Sequence, residues 1–334
     1  MAEWLGTALQ KLLQRFESAF DLDKALQEIA ALFSLFCIMP KQPSDKLLLF
    51  AIVLSMFLWG LSWPSGKVLT HYCSAINFSV YRYILVVATL LVLLIVSRTQ
   101  ITIQKKGIPV VVAAGLLLCG YSYLFFMGLK NGAPGAGGIL VTILNPIMAY
   151  TLGIIIDRKL PSRNEAVGLL LGIVAGCVLL KVWDNAHAIV ESGNIYFLLA
   201  AITWAVMSKF TSKGSRYGTS AGFSLWQYII TLLCFLPMMD VQEFSRAFSI
   251  TDPVFWGNLV FSSAIVTALA TTMYFYATTR LGAEKASSFI FLVPMAAGAS
   301  SWLLLGEHIA AHTIIGGVIG IAAVYMINIR KKRA

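Results

Sequence analysis

Ten stretches of mostly apolar residues alternate with short polar connections along the chain. Each is about 17 to 25 residues long, the length that an α-helix needs to cross the hydrocarbon core of a bilayer. The stretches lie at 47 to 67, 76 to 97, 107 to 129, 134 to 156, 165 to 181, 193 to 209, 219 to 239, 255 to 278, 285 to 305 and 312 to 329. This pattern predicts an all-α integral membrane protein with ten transmembrane helices.

Lysine and arginine are distributed unevenly over the connections between these stretches. With the N-terminus in the cytoplasm, seventeen basic residues fall on the cytoplasmic side, and only Lys67, Lys130, Lys181 and Arg246 fall on the other side. Because basic residues collect in cytoplasmic loops, this asymmetry predicts that both termini are cytoplasmic. The net charge of +10 therefore reflects membrane orientation, and we expect no nucleic-acid partner.

Residues 1–40, which precede the first apolar stretch, follow a different pattern. Apolar side chains recur at three- and four-residue steps from Leu5 to Phe20, which predicts an amphipathic helix in the cytoplasm or at the membrane interface. No basic region precedes a short apolar core, so we do not expect a signal peptide. Two interpretations stay open: an arm with a function of its own, or a dispensable extension ahead of Met39.

The pattern of apolar stretches and marker residues occurs twice. Trp59 and Tyr81 are matched by Trp204 and Trp226, each 145 positions later (204 minus 59, 226 minus 81). A second set recurs 148 positions later, namely Pro146, Gly168 and Gly172 as Pro294, Gly316 and Gly320. Internal duplication of hydrophobic helices is typical of many secondary transporters, whose substrate site lies between the two halves near the bilayer midplane.

The duplication divides the membrane part into two repeats, residues 47–182 and 191–330, of five predicted spans each. Because five is odd, the second repeat enters the membrane in the orientation opposite to the first. The sequence therefore predicts two inverted five-helix repeats.

Composition agrees with a membrane protein and gives no sign of an enzyme. The chain is 58% hydrophobic and 12% charged, against about 25% charged for soluble domains. Five cysteines show no paired spacing, so we expect neither disulfides nor a zinc site. The glycine-rich segment 132–138 lacks the Gly-Lys-Ser/Thr ending of a phosphate-binding loop. We expect no catalytic residues, no metal and no cofactor.

Glycines line one face of the fifth predicted span and one face of the tenth. They are Gly168, Gly172 and Gly176 in the fifth span, and Gly316 and Gly320 in the tenth. Small residues at four-residue spacing allow two helices to approach closely in a membrane. The contact lies either within one chain or across a homodimer, and the sequence leaves both open.

Polar and aromatic side chains at membrane depth are the candidates for substrate contacts. They concentrate in spans one, three, four, six, eight and nine, and we select Trp59, Trp63, Tyr121, Asn145, Trp204, Tyr274 and Ser288. Arg82 lies inside the second span, where a cation needs a partner or a water-filled cavity. It either snorkels or pairs structurally, or it contacts an anionic group of the substrate. Its counterpart in the second repeat is the neutral Gln227.

Acidic residues avoid the central part of every predicted span. Asp157, Glu165, Glu284 and Glu307 all lie near span ends. Proton and sodium coupling commonly uses an intramembrane carboxylate. The sequence therefore favours exchange, facilitated movement or a subtler coupling group.

Several of these residues resemble the EamA group of the drug/metabolite transporter superfamily. The resemblance rests on Trp59-Gly60, on Arg82 early in the second span, and on Gly306-Glu307 followed by Gly316 and Gly320. It implies ten helices in two inverted repeats, cytoplasmic termini, and a central cavity lined mainly by spans one, three, four, six, eight and nine. It also implies alternating access. The first repeat departs from the pattern, with Asp157-Arg158-Lys159 where the second has Gly306-Glu307-His308.

We therefore expect an ATP-independent transporter in the bilayer of a bacterial inner membrane. Its small-molecule substrate is expected to be a polar or aromatic metabolite, such as an amino acid, a nucleoside-type compound or S-adenosylmethionine, moved by an exporter or an exchanger. Two alternatives belong to other classes: a membrane sensor or scaffold that uses residues 1–40 as its arm, and a membrane-bound lipid-modifying enzyme.

Overall fold

A computed structural model of the chain describes residues 45–131, 134–184, 194–297 and 311–328. The amphipathic helix predicted within residues 1–40 lies outside these ranges. The helices are α1 (Asp45–Leu69), α2 (Ala75–Val96), α3 (Ile108–Asn131), α4 (Pro134–Asp157), α5 (Arg163–Leu180), α6 (Asn194–Thr211), α7 (Ser220–Phe235), α8 (Val241–Ala247), α9 (Pro253–Val260), α10 (Thr272–Leu281), α11 (Ala283–Ser288) and α12 (Ala311–Asn328).

Eight helical segments of the described residues are long and apolar enough to cross a membrane. They contain α1, α2, α3, α4, α6, α7, α9 joined to α10, and α12. Helix α5 stands where the fifth span is predicted. The ninth begins with α11 and a 3₁₀ turn at Phe289–Leu292, and its continuation beyond 297 lies outside the described ranges. The protein is thus a multi-pass membrane protein, and the count of ten depends on these two segments.

Helices of the first repeat pack mainly against helices of the second. Helix α5 runs along α12, α3 packs on α6, and α2 packs on α7. Each contact pairs one predicted span from each half, so the halves interlock. The main hydrophobic core accordingly mixes both halves, with Tyr83 and Leu118 from the first and Trp204 and Tyr228 from the second.

The glycine faces of α5 and α12 lie against each other inside one chain. A Cβ atom added at Gly168 would lie 2.5 Å from Ile327 of α12, and one added at Gly316 would lie 2.6 Å from Leu179 of α5. Such distances show that the backbones approach more closely than any larger residue permits. The close contact described here therefore joins two helices of one chain, and a homodimer through the glycine faces stays a prediction.

The eighth predicted span is one continuous helix whose middle part, Phe261–Thr271, is wound as a π-helix. Inside it, the Thr267 hydroxyl donates to the Ser262 carbonyl (2.8 Å) and the Thr271 hydroxyl donates to the Val266 carbonyl (3.0 Å). Each of these side-chain hydrogen bonds spans five residues, the same step as the backbone hydrogen bonds of a π-helix. Because π-helical turns are rare and frequently occur at functional sites, this segment directs attention to the space beside it.

Candidate functional site

A cavity lies between the two repeats, at the depth where the middle of α1 passes the π-helical segment. It is lined from the first repeat by α1, α2, α3 and α4, and from the second by α6, the π-helical segment and the turn after α11. Its volume is about 60 Å³. That space holds a few water molecules but no metabolite. The space between the lining side chains is therefore smaller than a metabolite.

Aromatic rings from both repeats form one side of the cavity. The rings of Trp59 and Trp204 meet edge to face with their centroids 5.2 Å apart. Tyr121 lies 4.5 Å from Trp204, and Tyr274 lies 4.9 Å from Trp59. Their flat faces are suited to stacking on an aromatic or apolar group, and to contact with a cation.

A second aromatic group continues this surface along α1 towards its C-terminal end. Trp63 lies one helical turn beyond Trp59 and packs edge to face on Phe125 of α3, with centroids 4.9 Å apart. Phe125 in turn stacks beside Tyr121 at 5.7 Å. The cavity wall is therefore a continuous aromatic strip along α1 and α3.

Arg82 extends into the same cavity from α2. Its Nε and Nη2 atoms both donate to the Thr267 hydroxyl, at 3.1 and 2.6 Å. The guanidinium group also lies 5.5 Å from the centre of the Tyr83 ring and 5.3 Å from that of Phe126. A cation is thus held at membrane depth by one neutral oxygen and two aromatic rings.

Polar atoms complete the lining. Asn145 of α4 is only 3% exposed, and its side-chain oxygen accepts no hydrogen bond. The Trp59 indole donates to the Thr271 hydroxyl at 3.2 Å. The Tyr274 hydroxyl and the Trp204 indole lie near each other without reaching ordinary hydrogen-bond geometry. Since buried polar groups usually have partners, the Asn145 oxygen is a candidate acceptor for a ligand N–H or O–H.

The structure brings six of the eight candidate contact residues to the cavity wall. These are Trp59, Trp63, Arg82, Tyr121, Asn145 and Trp204. Tyr274 is fully buried behind the rings of Trp59 and Trp204. Ser288 lies elsewhere, since its hydroxyl donates to the Lys285 carbonyl and accepts from Asn328 at 2.9 Å. Ser288 is set apart because it ends the short helix α11 before the chain tightens into the 3₁₀ turn.

Other lining residues were not among the selected candidates. They include Phe125, Phe126, Ser262 and Thr267. Thr267 belongs to a group of polar residues in the eighth predicted span, and this group was the sequence feature that could have identified it as a lining residue. The π-helical winding that turns Ser262, Val266 and Thr267 to the cavity has no recognisable sequence mark.

Charged side chains close one end of the bundle beneath the cavity. The Lys209 ammonium group of α6 pairs with Asp157 at the end of α4 and with Glu284 at the start of α11. Gly282, with a φ of 87°, makes the turn that leads into α11. The Lys209 side chain is only 9% exposed. This cluster joins the two repeats through Lys209 and Asp157. In the sequence these two residues lie at the ends of different predicted spans, so their pairing was not predicted.

A second polar cluster holds the opposite end. The Glu243 carboxylate of the short helix α8 accepts from the Ser74 backbone N–H and hydroxyl and from the Asn77 amide. Beside it, the ring of Tyr81 stacks on Phe244 at 4.4 Å. Helix α8, which the apolar pattern did not predict, is thus fastened over the beginning of α2.

Metal binding finds no support in the parts of the chain that the structure covers. There, no three His, Cys, Asp or Glu side chains come together in a way that would hold a metal ion. His308, which is one helical turn from His312 in the sequence, lies outside those parts.

Comparison with known proteins gives a consistent picture. The EamA-like transporter family matches residues 46–181 and again residues 191–329, which correspond to the two repeats. The chain is 22% identical over 281 residues to the uncharacterized transporter YoaV of Bacillus subtilis, covering 82% of this chain and 94% of that protein. It is 24% identical over 285 residues to a probable amino-acid metabolite efflux pump of Salmonella typhimurium, covering 83% and 93%.

A solved crystal structure has the same fold. It superposes with a TM-score of 0.65 at 16% identity and covers 84% of this chain and 96% of the other. Two family matches, one in each half, span most of the sequence. The protein is therefore a multi-pass membrane transporter that belongs to the EamA-like transporter family.

Proposed function

We propose that this protein is an ATP-independent transporter that moves a small polar or aromatic metabolite through the cavity between its two repeats. The observation that carries the proposal is the cavity itself, which is enclosed by helices of both repeats and combines aromatic rings with Arg82 and Asn145. Such a site suits a substrate that has a flat or apolar body and polar ends.

Alternating access supplies the mechanism. The repeats would rock about the cavity, so that it opens first to one side of the membrane and then to the other. The Lys209 cluster closes the end that the charge distribution assigns to the cytoplasm, and its two carboxylate partners belong to different repeats. Relative motion of the repeats would break the Lys209–Asp157 pair, which joins one repeat to the other, and open that end.

We further propose an inner-membrane location with cytoplasmic termini, and a role in export or exchange. The charge asymmetry of the connections supports this orientation. The amino-acid efflux pump among the relatives makes amino acids the first compounds to test.

Counterflow in proteoliposomes tests the proposal. Vesicles loaded with a millimolar unlabelled amino acid should accumulate the same labelled compound from outside without ATP. Asn145→Ala should abolish or greatly slow this accumulation. A matched variant, Asn131→Ala, removes an exposed amide at the end of α3 and should transport normally. Equal rates for the two variants would contradict the assignment of the site.

A further inference from the structure

Arg82 is a cation buried at a considerable depth. It lies seven residues after the start of α2 at Ala75, which is about 10 Å along a helix axis. Its guanidinium group turns across the bundle to Thr267 instead of extending along α2 to the nearer membrane surface. This geometry is not that of a snorkelling side chain, which keeps its charged head in water.

No carboxylate balances this charge among the residues that the structure describes. The ion pairs in these ranges join Lys209 to Asp157 and Glu284, and Lys285 to Glu165. The Thr267 hydroxyl cannot neutralise Arg82, because it is an uncharged acceptor whose own proton is donated to the Ser262 carbonyl. A buried charge without a counter-ion is costly, and in membranes such residues mark binding or transport pathways.

The fold does not require the charge. In the second repeat the equivalent position is Gln227, which is fully buried and accepts a hydrogen bond from Thr211 at 3.1 Å. A neutral amide therefore serves at the same place in the same five-helix architecture. The cation is present in one repeat only, and its position lines the cavity, whereas Gln227 is not among the lining residues.

We propose, on the basis of the transport function proposed above, that the substrate carries a carboxylate group and that Arg82 binds it. A guanidinium group presents parallel N–H donors that match the two oxygens of a carboxylate. The Asn145 oxygen then accepts an N–H or O–H from a neighbouring substituent of the substrate, and the rings of Trp59 and Trp204 cover its body. The substrate class is thus a small carboxylic acid with a nearby amino or hydroxyl group.

Matched ligand pairs test this inference. The probes are phenylalanine, leucine and their 2-hydroxy acid analogues, each compared with its own primary amide. The dissociation constants are measured on purified protein by quenching of tryptophan fluorescence. For the wild type, at least one acid should bind ten or more times as tightly as its amide. In Arg82→Gln, which installs the residue found in the second repeat, this ratio should fall below three while the affinity for the amide stays within threefold.

A second variant guards against loss of folding. Arg82→Lys keeps the positive charge but loses the paired donors, so it should show an intermediate preference for acids. An acid preference that persists unchanged in Arg82→Gln overturns the inference. So does a wild-type protein that binds no acid more tightly than its amide. If uncharged compounds are then transported in an Asn145-dependent way, the transport function stands and only the carboxylate assignment fails.

Discussion

Trp59 and Trp204 occupy equivalent positions in the two repeats, and their indole rings meet edge to face with the centroids 5.2 Å apart. Because one comes from α1 and the other from α6, their contact lies on the boundary between the two repeats. The two tryptophans also line the cavity. The same pair therefore belongs both to the wall of the proposed substrate site and to the contact between the two repeats.

Truncating one tryptophan of this pair should reduce transport more than it reduces the stability of the folded protein. Trp204→Ala removes an aromatic contact worth about 1 kcal/mol beyond its buried area, together with one wall of the site. We expect the concentration for half-maximal counterflow to rise about tenfold, and Trp204→Phe to recover most of the loss. Trp183→Ala is the matched control, since that side chain is 65% exposed at the end of α5. Equal effects of Trp204→Ala and Trp183→Ala would contradict a role at the site.

The ion pairs of Lys209 should stabilise the closed cytoplasmic end. Lys209→Met leaves the carboxylates of Asp157 and Glu284 facing each other without a cation. Breaking a buried pair in this way costs about 3 kcal/mol, and less where the partners are partly exposed. The thermal unfolding midpoint should fall by several degrees.

Lys285→Met provides the control for this variant. Its contact with Glu165 is long, at 4.0 Å, and its side chain is 38% exposed. Pairs of this kind contribute about 0.5 kcal/mol or less, so the midpoint should hardly change. Similar midpoints for the two variants would show that the Lys209 cluster does not hold the bundle closed.

Helix α8 should control access to Cys73, which lies in the turn between α1 and α2. Burial raises the pKa of the Cys73 thiol to about 12, and the negative charge of Glu243 adds to this rise. Only the thiolate reacts, and its fraction at pH 7 is very small for a thiol with so high a pKa, so alkylation by a maleimide should be slow at pH 7 and should accelerate about tenfold per pH unit. In protein with Cys73 as its sole cysteine, Glu243→Gln should increase the rate at pH 7 severalfold. Glu165→Gln, the same change at the opposite end of the bundle, should leave the rate of alkylation unaltered. Equal acceleration by both variants would argue against control of access by the contacts of Glu243 with Ser74 and Asn77.

Gly60 should tolerate no side chain. A Cβ atom there would lie 2.7 Å from the backbone nitrogen of Ala297 and 3.0 Å from the Val293 carbonyl oxygen. Because both are backbone atoms, α1 would have to move away from the ninth span. Gly120→Ala is the control, since its nearest neighbour is a Thr203 methyl group at 3.8 Å. Alanine stabilises a helix by about 1 kcal/mol relative to glycine, so Gly120→Ala should raise the melting temperature and Gly60→Ala should lower it.

Much of the architecture follows from the sequence, for definite physical reasons. Helices that cross a bilayer must be long and apolar, and the duplication of Trp59 as Trp204 identified the surfaces that meet. The sequence left the packing of Gly168 and Gly316 open between two arrangements; the structure shows a contact within one chain, and the homodimer stays a prediction. The sequence showed the contrast between Arg82 and Gln227, but it did not show that Thr267 is the hydrogen-bond acceptor of Arg82.

Other parts could not be predicted because they depend on where a helix deviates from regularity. The π-helical turn around Thr267 and the 3₁₀ turn after Ser288 rotate side chains by amounts that a regular period does not give. The distribution of basic residues assigned Lys209 to a cytoplasmic connection. In the structure it lies at the end of α6, where its side chain pairs with two carboxylates that are distant in sequence. Long-range pairs of this kind leave no trace in a single sequence.

Accessibility of one cavity residue from the two sides of the membrane tests whether the cavity opens alternately to each side. In a cysteine-free background, Ser62→Cys places a thiol on the cavity wall, and an impermeant maleimide is added to right-side-out and to inside-out vesicles. The thiol should be labelled from both sides of the membrane. Lys209→Met should increase the labelling from the cytoplasmic side. Labelling from one side only, whatever the state of Lys209, would contradict a site that opens alternately between the two repeats.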